Sequence, residues 1–154
     1  MLQEGDPAPD FSLPADGGQR VALSALKGAP VVVYFYPKDD TSGCTKEAVT
    51  FSGLAEAFSA LGARVVGVSP DTPASHDAFK ARHGLKIALA ADPDKEVARS
   101  YGVWVEKSMY GRKYMGVERA TFLIDSNGRI AQIWRKVRVP GHAEAVLEAV
   151  GRLQ

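Results

Sequence analysis

Short apolar runs alternate along the chain with segments in which apolar residues recur every three or four positions. The run at residues 31–36 is apolar throughout and stands between two prolines, which predicts a central strand that is buried on both faces. The recurring positions predict helices whose apolar sides pack against a sheet. The predicted elements are strands at 31–36, 64–69 and 86–90, one long helix at 44–61 that ends at Gly62, and further helices at 72–84, 94–101 and 143–153.

Turn signals predict two β-hairpins. The glycine-rich segment 15–18 lies between two short apolar segments, which indicates an N-terminal hairpin over residues 11–23. The pair Asn127-Gly128 lies between two further apolar runs, and Asn-Gly is a strong hairpin signal. A second hairpin is therefore predicted over residues 120–134.

The order of the elements indicates the fold. Residues 103–116 are rich in glycine, tyrosine and lysine and have no clear period, so they are predicted to be loop with some irregular strand. Alternating strands and helices followed by a hairpin and a last helix are typical of the thioredoxin-like fold. We therefore predict an α/β protein with a thioredoxin-like fold, an N-terminal β-hairpin and a central mixed sheet flanked by helices. A chain of 154 residues fits one domain, over residues 1–154.

Composition and charge exclude several classes of protein. Nineteen Lys and Arg against 18 Asp and Glu give a net charge of +1, so neither a nucleic acid nor a membrane is expected as a partner. No apolar run approaches the roughly 18 residues that a membrane span needs, and no signal peptide is expected at the N-terminus. The single cysteine, Cys44, cannot form an intramolecular disulfide, and a lone thiol suits the reducing cytoplasm.

Cys44 is the clearest candidate for chemistry. It opens the long predicted helix after a loop of polar and glycine residues, and the free N–H groups and positive dipole end of a helix start favour a thiolate. Gly43 lets backbone donors point into the same space, and Thr41 is close enough in sequence to share it. The alternative is that Cys44 is a small buried hydrophobe, as most free cysteines are.

The spacing Pro37-x-x-x-Thr41-x-x-Cys44 resembles the active-site motif of the peroxiredoxins, which are thiol peroxidases built on a thioredoxin fold. The longer run at residues 34–48 is similar to one branch of that family, peroxiredoxin Q, also called bacterioferritin comigratory protein. The resemblance covers nearly the whole chain in order. It continues through residues 100–104, 109–111, 114–116, 118–119, 121–125 and 139–142.

The resemblance implies that Cys44 is the peroxidatic cysteine and that Thr41, Arg119 and Pro37 form its pocket. A peroxidatic thiolate attacks one oxygen of the peroxide substrate and becomes a sulfenic acid. Arg119 would supply a permanent cation, Thr41 a hydroxyl, and Gly43 and Cys44 backbone N–H groups, all aimed at the shifting charge. Pro37 would shield the thiolate from water. Neither a metal nor a bound cofactor is expected.

Glu47 is a candidate partner that holds Arg119 in place, and the alternative is an exposed carboxylate at a helix start.

The chain departs from the family in its resolving cysteine. Many members carry that cysteine five residues after the peroxidatic one, where this chain has Val49. Others place it near residues 79–81, where this chain has none. The sulfenic acid is therefore expected to react with an external thiol from thioredoxin, glutaredoxin or a small molecule.

Other features are interpreted structurally. Asp39 and Asp40 are expected to be solvated turn residues, and the three histidines share no metal-ligand spacing. Trp104 and Trp134 are expected in the core or at its rim, and the alternative is that Trp104 and Tyr110 line the mouth of the pocket. The leading hypothesis is a monomeric cytoplasmic antioxidant peroxidase that serves cell redox homeostasis. Two alternatives are a non-catalytic thioredoxin-like binding or holdase module and a thiol-based peroxide sensor.

Overall fold

Strands and helices follow one another in the predicted order. The structure is a computed structural model that describes residues 1–153. None of the helices in that range is both long enough and apolar enough to cross a membrane. In chain order the elements are β1 (Ser12–Pro14), β2 (Arg20–Ala22), β3 (Val31–Phe35), α1 (Ser42–Gly53), α2 (Ala55–Ala60), β4 (Arg64–Ser69), α3 (Pro73–His83), β5 (Ala88–Ala91), α4 (Glu96–Ser100), β6 (Trp104–Met109), β7 (Arg112–Val117), β8 (Ala120–Ile124), β9 (Ile130–Trp134) and α5 (His142–Arg152).

Five strands form the central sheet, in the order β5, β4, β3, β8 and β9. The middle strand β3 pairs in parallel with β4 and antiparallel with β8, so the sheet is mixed. Every residue of β3 is buried, as its unbroken apolar run predicts. The predicted fold is confirmed, including the antiparallel N-terminal hairpin of β1 and β2.

Alternate side chains of β3 point into two separate cores. Val33 and Phe35 pack on one face of the sheet with the N-terminal hairpin and α4. Val32 and Tyr34 pack on the other face with the apolar sides of α1, α3 and α5. Cys44 belongs to this second core. It lies in the first turn of α1, after the connection that leads from the end of β3.

The prediction of a single helix over residues 44–61 is wrong, because α1 and α2 are separated at Leu54. Leu54 has φ −103° and ψ 8°, and its N–H bonds to the carbonyl of Phe51 at 3.1 Å in a tightened last turn. The preceding Gly53 has a low helix propensity. The apolar spacing continues across the break, because both helices pack on the same core, so periodicity could not reveal it.

The prediction of loop with some irregular strand over residues 103–116 is also wrong, because β6 and β7 form a regular antiparallel hairpin. Its two-residue turn is Tyr110-Gly111, and both residues have a positive φ, of 52° and 77°. Most side chains of this hairpin are exposed or half-buried, so no alternation of apolar and polar residues marks it. The hairpin places Arg119, which follows shortly after β7, at the start of α1.

Candidate active site

Cys44 lies in the first turn of α1 and is 1% exposed. Thr41 is the N-cap residue with an extended backbone, and the first helical hydrogen bond runs from the Thr45 N–H to the Thr41 carbonyl at 2.8 Å. The N–H groups of Gly43 and Cys44 precede this bond and therefore have no acceptor within the helix. Two backbone donors are thus available next to the sulfur atom.

Arg119 contacts Cys44 and Glu47 through two different nitrogens. Its Nη2 lies 3.4 Å from Cys44 Sγ, and its Nη1 lies 2.7 Å from Glu47 Oε1. Glu47 follows Cys44 by three residues, so the two side chains lie on the same side of α1. The predicted contact between Glu47 and Arg119 is present, and Glu47 is only 1% exposed rather than a solvated helix-start carboxylate.

Gly43 has a steric role that the sequence did not reveal. A Cβ atom built at this position would lie 3.1 Å from Arg119 Nη2 and 3.8 Å from its Cζ. Such a contact is tight for a guanidinium that is also held by Glu47. Gly43 therefore permits the close approach of Arg119 to α1, in addition to its predicted role as a backbone donor.

Glu47 and Arg119 each shift the pKa of the other, and burial shifts both. Burial raises the pKa of Glu47 to about 7, although the Arg119 cation acts in the opposite direction. Burial acts against the charged form of Arg119, but Glu47 and Cys44 outweigh it and raise the pKa of the guanidinium above its ordinary value. Arg119 is therefore a permanent cation, whereas the charge of Glu47 changes close to neutral pH. Glu47 Oε2 has no hydrogen-bond partner within residues 1–153.

Thr41 and Pro37 lie in the connection between β3 and α1. The Thr41 hydroxyl donates to the carbonyl of Lys38 at 2.9 Å. Because the one hydrogen of this hydroxyl is engaged, its lone pairs are left to act on a bound peroxide, and the predicted role of Thr41 in the pocket stays a prediction. Pro37 follows β3 and is half-buried. Its predicted role as a shield of the thiolate stays a prediction.

Asp39 is not the solvated turn residue expected from the sequence. Its Oδ1 accepts from the Tyr36 hydroxyl at 2.6 Å, and its Oδ2 accepts from the Ser75 hydroxyl at 2.8 Å and lies 2.7 Å from His76 Nδ1. His76 Nε2 faces the carbonyl of Ala90 at 3.0 Å. This network joins the loop before Cys44 to α3 and β5. It was missed because its members are far apart in the sequence.

The places where the resemblance predicts a resolving cysteine, residue 49 and the region of residues 79–81, carry other side chains here. Val49, on α1, is 45% exposed. Lys80, on α3, donates to the buried carboxylate of Asp16 at 2.7 Å and to the carbonyl of Ile87 at 3.1 Å. Lys80 therefore links α3 to the N-terminal hairpin, and neither position offers a thiol.

The aromatic residues considered for the pocket mouth lie elsewhere or have other partners. Tyr110 is 99% exposed at the tip of the β6–β7 hairpin. Trp104 is half-buried, and the cationic groups of Lys95 and Arg99 lie 5.6 and 5.9 Å from its ring centre. Across residues 1–153, no group of three or more His, Cys, Asp or Glu side chains is arranged to hold a metal ion.

Sequence comparison relates the chain to known proteins over most of its length. Residues 4–133 match the AhpC/TSA family. The chain is 44% identical over 149 residues to peroxiredoxin Bcp of Bacillus subtilis, which covers 97% of this chain and 95% of that protein. It is 46% identical over 146 residues to peroxiredoxin Bcp of Xanthomonas campestris, covering 94% and 91% of the two chains.

Solved structures agree with this relationship. Peroxiredoxin Q of Xanthomonas campestris superposes with a TM-score of 0.90 at 43% identity, over 99% of this chain and 96% of that one. A structure of the bacterioferritin comigratory protein of the same organism, from work on its alkyl peroxide reduction activity, gives a TM-score of 0.91 at 42% identity, over 99% and 98%. The resemblance stated from the motifs is confirmed. The chain belongs to the AhpC/TSA family, in its Bcp or peroxiredoxin Q branch, and is a thiol peroxidase with a single cysteine.

Proposed function

We propose that Cys44 is the peroxidatic cysteine and that it reduces hydrogen peroxide and organic hydroperoxides. The observation that carries this proposal is the 3.4 Å contact between Arg119 Nη2 and Cys44 Sγ, with Glu47 holding the other end of the guanidinium at 2.7 Å. Organic hydroperoxides are included because a relative at 42% identity is described by its alkyl peroxide reduction activity.

In the proposed reaction, the Cys44 thiolate attacks the terminal oxygen of the peroxide R–O–O–H. A sulfur–oxygen bond forms, the oxygen–oxygen bond breaks, and the RO⁻ that leaves takes up a proton to give water or an alcohol. The product on the protein is Cys44 sulfenic acid. Because negative charge moves from sulfur to the leaving oxygen, donors that surround both atoms lower the barrier.

Formation of the thiolate alone would not make an efficient enzyme. A thiol of ordinary pKa, about 8.5, is already a few per cent ionised at pH 7, so complete ionisation gains only about 30-fold, or about 2 kcal/mol. The larger part of the acceleration is assigned to Arg119 and to the N–H groups of Gly43 and Cys44. Thr41 accepts a hydrogen bond from the peroxide, Pro37 limits the access of water, and Glu47 positions Arg119.

The sulfenic acid is resolved by an external thiol, because Cys44 is the only thiol of the chain. One thiol RSH attacks the sulfur, which forms a mixed disulfide and releases water. A second thiol then attacks that disulfide, which releases RSSR and returns the Cys44 thiol. The reductant is drawn from thioredoxin, glutaredoxin and small thiols.

We also propose that residues 1–154 act as one domain, as a monomer, in the cytoplasm. Support for one domain comes from relatives that match nearly the whole chain in both directions. Support for the cytoplasm comes from the lone thiol, which suits a reducing compartment. The proposal of a monomer rests on the resemblance to the peroxiredoxin Q branch. Light scattering coupled to size-exclusion chromatography tests it.

Stopped-flow kinetics of Cys44 oxidation tests the peroxidase proposal. Reduced protein is mixed with hydrogen peroxide or cumene hydroperoxide, and Cys44→Ser is expected to abolish turnover because the nucleophile is lost. Arg119→Met is expected to slow oxidation by about 2–4 kcal/mol of transition-state stabilisation, roughly 30- to 1,000-fold, also at pH values where the thiolate is fully formed. Arg64→Met, an exposed arginine on β4, serves as the control.

Two results would contradict the proposal. Oxidation of Cys44 no faster than that of free cysteine would favour the non-catalytic thioredoxin-like module. An Arg119→Met defect that disappears at high pH would limit Arg119 to promoting ionisation of the thiol.

A further inference from the structure

A buried ion pair holds the loop that precedes Cys44. His76, on α3, is fully buried, and its Nδ1 lies 2.7 Å from Oδ2 of Asp39, whose side chain is 4% exposed. The other ring nitrogen, Nε2, faces the carbonyl of Ala90 at 3.0 Å. A carboxylate and a carbonyl are both acceptors, so both ring nitrogens carry a hydrogen and His76 is an imidazolium cation.

Both carboxylate oxygens of Asp39 are engaged. Oδ1 accepts from the Tyr36 hydroxyl at 2.6 Å, and Oδ2 accepts from the Ser75 hydroxyl at 2.8 Å as well as from His76. Burial acts against the charged form of Asp39, but the hydrogen bonds from His76 and Tyr36 outweigh it and hold the pKa of Asp39 below its ordinary value. The carboxylate is therefore ionised and is fixed in one orientation, mainly by α3.

The backbone beside this carboxylate is connected directly to Thr41. The peptide unit that joins Lys38 to Asp39 is held at both ends, because its N–H donates to Oδ2 of Asp71 at 2.8 Å and its carbonyl accepts from the Thr41 hydroxyl at 2.9 Å. A planar peptide unit turns as a whole, so the direction of this carbonyl sets the direction of the Thr41 hydrogen. The lone pairs of the Thr41 oxygen are thereby left for a bound peroxide.

We propose that His76 and Asp39 are positioning residues for the reduction of peroxide. Their ion pair fixes the peptide that follows Lys38, and this peptide orients the Thr41 hydroxyl to accept a hydrogen bond from the O–H of the peroxide. The inference rests on the proposed function, in which Thr41 accepts that bond. His76 and Asp39 act through Thr41 rather than on the reacting atoms.

A displacement of this loop is expected to reach the reaction. Removal of one partner from a buried ion pair leaves an uncompensated charge, so Asp39 without His76 is expected to turn toward water and to carry the attached peptide with it. A misplacement of about 1 Å at a reacting group costs up to about 100-fold in rate. The same pair also attaches α3 to the loop, so the test has to separate positioning from stability.

Two reagents that react with the same thiolate make this separation. Hydrogen peroxide carries the O–H that Thr41 accepts, whereas methyl methanethiolsulfonate contains neither O–H nor N–H groups. The second-order rate constants of both reactions are measured by stopped flow, under conditions in which circular dichroism shows each variant to be folded. The readout is the ratio of the peroxide rate constant to the thiolsulfonate rate constant, because a general change in the exposure or ionisation of Cys44 affects both reactions.

His76→Gln and His76→Asn form a matched pair of variants. The amide nitrogen of glutamine takes the approximate place of Nε2 and keeps a donor toward Ala90, whereas that of asparagine takes the approximate place of Nδ1 and keeps the donor to Asp39. The ratio is expected to fall about tenfold in His76→Gln and to stay within about twofold of wild type in His76→Asn. Ser75→Ala, a milder change that removes another donor to Asp39, is expected to lower the ratio about threefold.

Lys80→Met is the control on the same helix. It removes the hydrogen bond to the buried carboxylate of Asp16 at 2.7 Å and so weakens the attachment of α3 to the N-terminal hairpin without touching the loop. The free energy of unfolding, measured in urea, is expected to fall in this variant while the ratio stays at the wild-type value. An equal fall of the ratio in Lys80→Met and His76→Gln would overturn the positioning role, because any weakening of α3 would then have the same effect.

Thr41→Val distinguishes an error in this inference from an error in the proposed function. It is expected to lower the ratio, and in that background His76→Gln should add less than about twofold, because both changes act through the same hydroxyl. An unchanged ratio in His76→Gln, or in Ser75→Ala if His76→Gln does not fold, would overturn the positioning role, as would a full further loss in the double variant. An unchanged ratio in Thr41→Val would contradict the role of Thr41 itself. Oxidation of wild-type Cys44 no faster than that of free cysteine would contradict the peroxidase proposal.

Discussion

At the scale of single residues, the Arg119 guanidinium has three close neighbours on one turn of α1. They are the sulfur of Cys44, the carboxylate of Glu47 and the backbone at Gly43. Glu47 holds one nitrogen and leaves the other directed at the sulfur. Because a guanidinium is planar and rigid, a displacement at one of these contacts moves the others.

Gly43→Ala is expected to slow the oxidation of Cys44 about tenfold. The added methyl group would lie 3.1 Å from Arg119 Nη2, so the guanidinium must move away from the helix and from the sulfur. Misplacement of a stabilising donor costs on the order of 1–3 kcal/mol in such sites. The rate constant is measured by stopped flow with hydrogen peroxide.

Gly53→Ala provides the matched control, because Gly53 lies in the same helix and a Cβ atom there meets nothing within 4 Å. Its oxidation rate is expected to equal that of wild type. Equal rates in Gly43→Ala and wild type would show that Arg119 tolerates the methyl group.

Glu47→Gln is expected to change how stability depends on pH. The pKa of Glu47 is raised from 4.5 to about 7 in the folded state, mainly by burial. Between these values the folded protein retains a proton that the unfolded chain has lost, so this contribution to stability is present at low pH and is lost as the pH rises through 7. Glutamine cannot ionise and lacks this dependence.

Urea unfolding under reducing conditions at pH 5 and pH 8 measures the effect. The free energy of unfolding of wild type minus that of Glu47→Gln is expected to fall by about 2–3 kcal/mol from pH 5 to pH 8. Glu56→Gln, at an exposed position on α2, should show no such change. A difference that is constant across this range would contradict the raised pKa.

At the scale of elements, the site is assembled from the start of α1 and the connection between β7 and β8. The start of α1 is weakly held: Thr41 makes no side-chain cap bond, and the first turn contains Gly43 and the β-branched Thr45. The loop that precedes it is held more firmly through the buried Asp39 and His76. Movement is therefore expected in α1 rather than in the loop.

Amide exchange is expected to be faster for residues 42–50 in the oxidised protein than in the reduced protein. Conversion of the thiolate to a sulfenic acid removes the negative charge that Arg119 and the first-turn N–H groups stabilise. Hydrogen–deuterium exchange with mass spectrometry measures both states, and residues 143–151 of α5 serve as the internal control. Equal protection of residues 42–50 in both states would show that the turn stays folded through the cycle.

At the scale of the whole molecule, one thiol has to serve both halves of the cycle. Neither residue 49 nor the segment 79–81 holds the second cysteine that an internal disulfide would need, and Lys80 is engaged with Asp16. In the proposed cycle, the sulfenic acid therefore persists until an external thiol arrives. During that interval a second peroxide can oxidise it to the irreversible sulfinic acid.

Intact mass spectrometry after one equivalent of peroxide is expected to show an adduct of one oxygen, which a monothiol converts to a mixed disulfide. Excess peroxide without thiol is expected to give an adduct of two oxygens. Cys44→Ser should show neither product. Stoichiometric loss of two hydrogens per chain, or a disulfide-linked dimer as the main product, would show that the one-cysteine cycle is wrong.

Local patterns along the chain were sufficient for the fold and for the position of Cys44, whereas Arg119 was predicted only through the resemblance to the peroxiredoxins, and Glu47 as its partner followed from that. Strand β3, α3 and the β8–β9 hairpin were predicted because burial on both faces, a Thr72-Pro73 start and an Asn-Gly turn are local signals. The hairpin within residues 103–117 was not predicted, because an exposed hairpin has no buried face that would impose an alternation of apolar and polar residues.

The sequence by itself determined that a lone cysteine opens a helix after a central strand, because helix starts, buried strands and cysteine counts are properties of neighbouring residues. Only the tertiary structure decided what surrounds that cysteine. The 3.4 Å contact with Arg119 spans 75 positions, and the buried pair of Asp39 with His76 spans 37. The need for glycine at position 43 likewise depends on how separate segments pack, and packing is set by the whole chain.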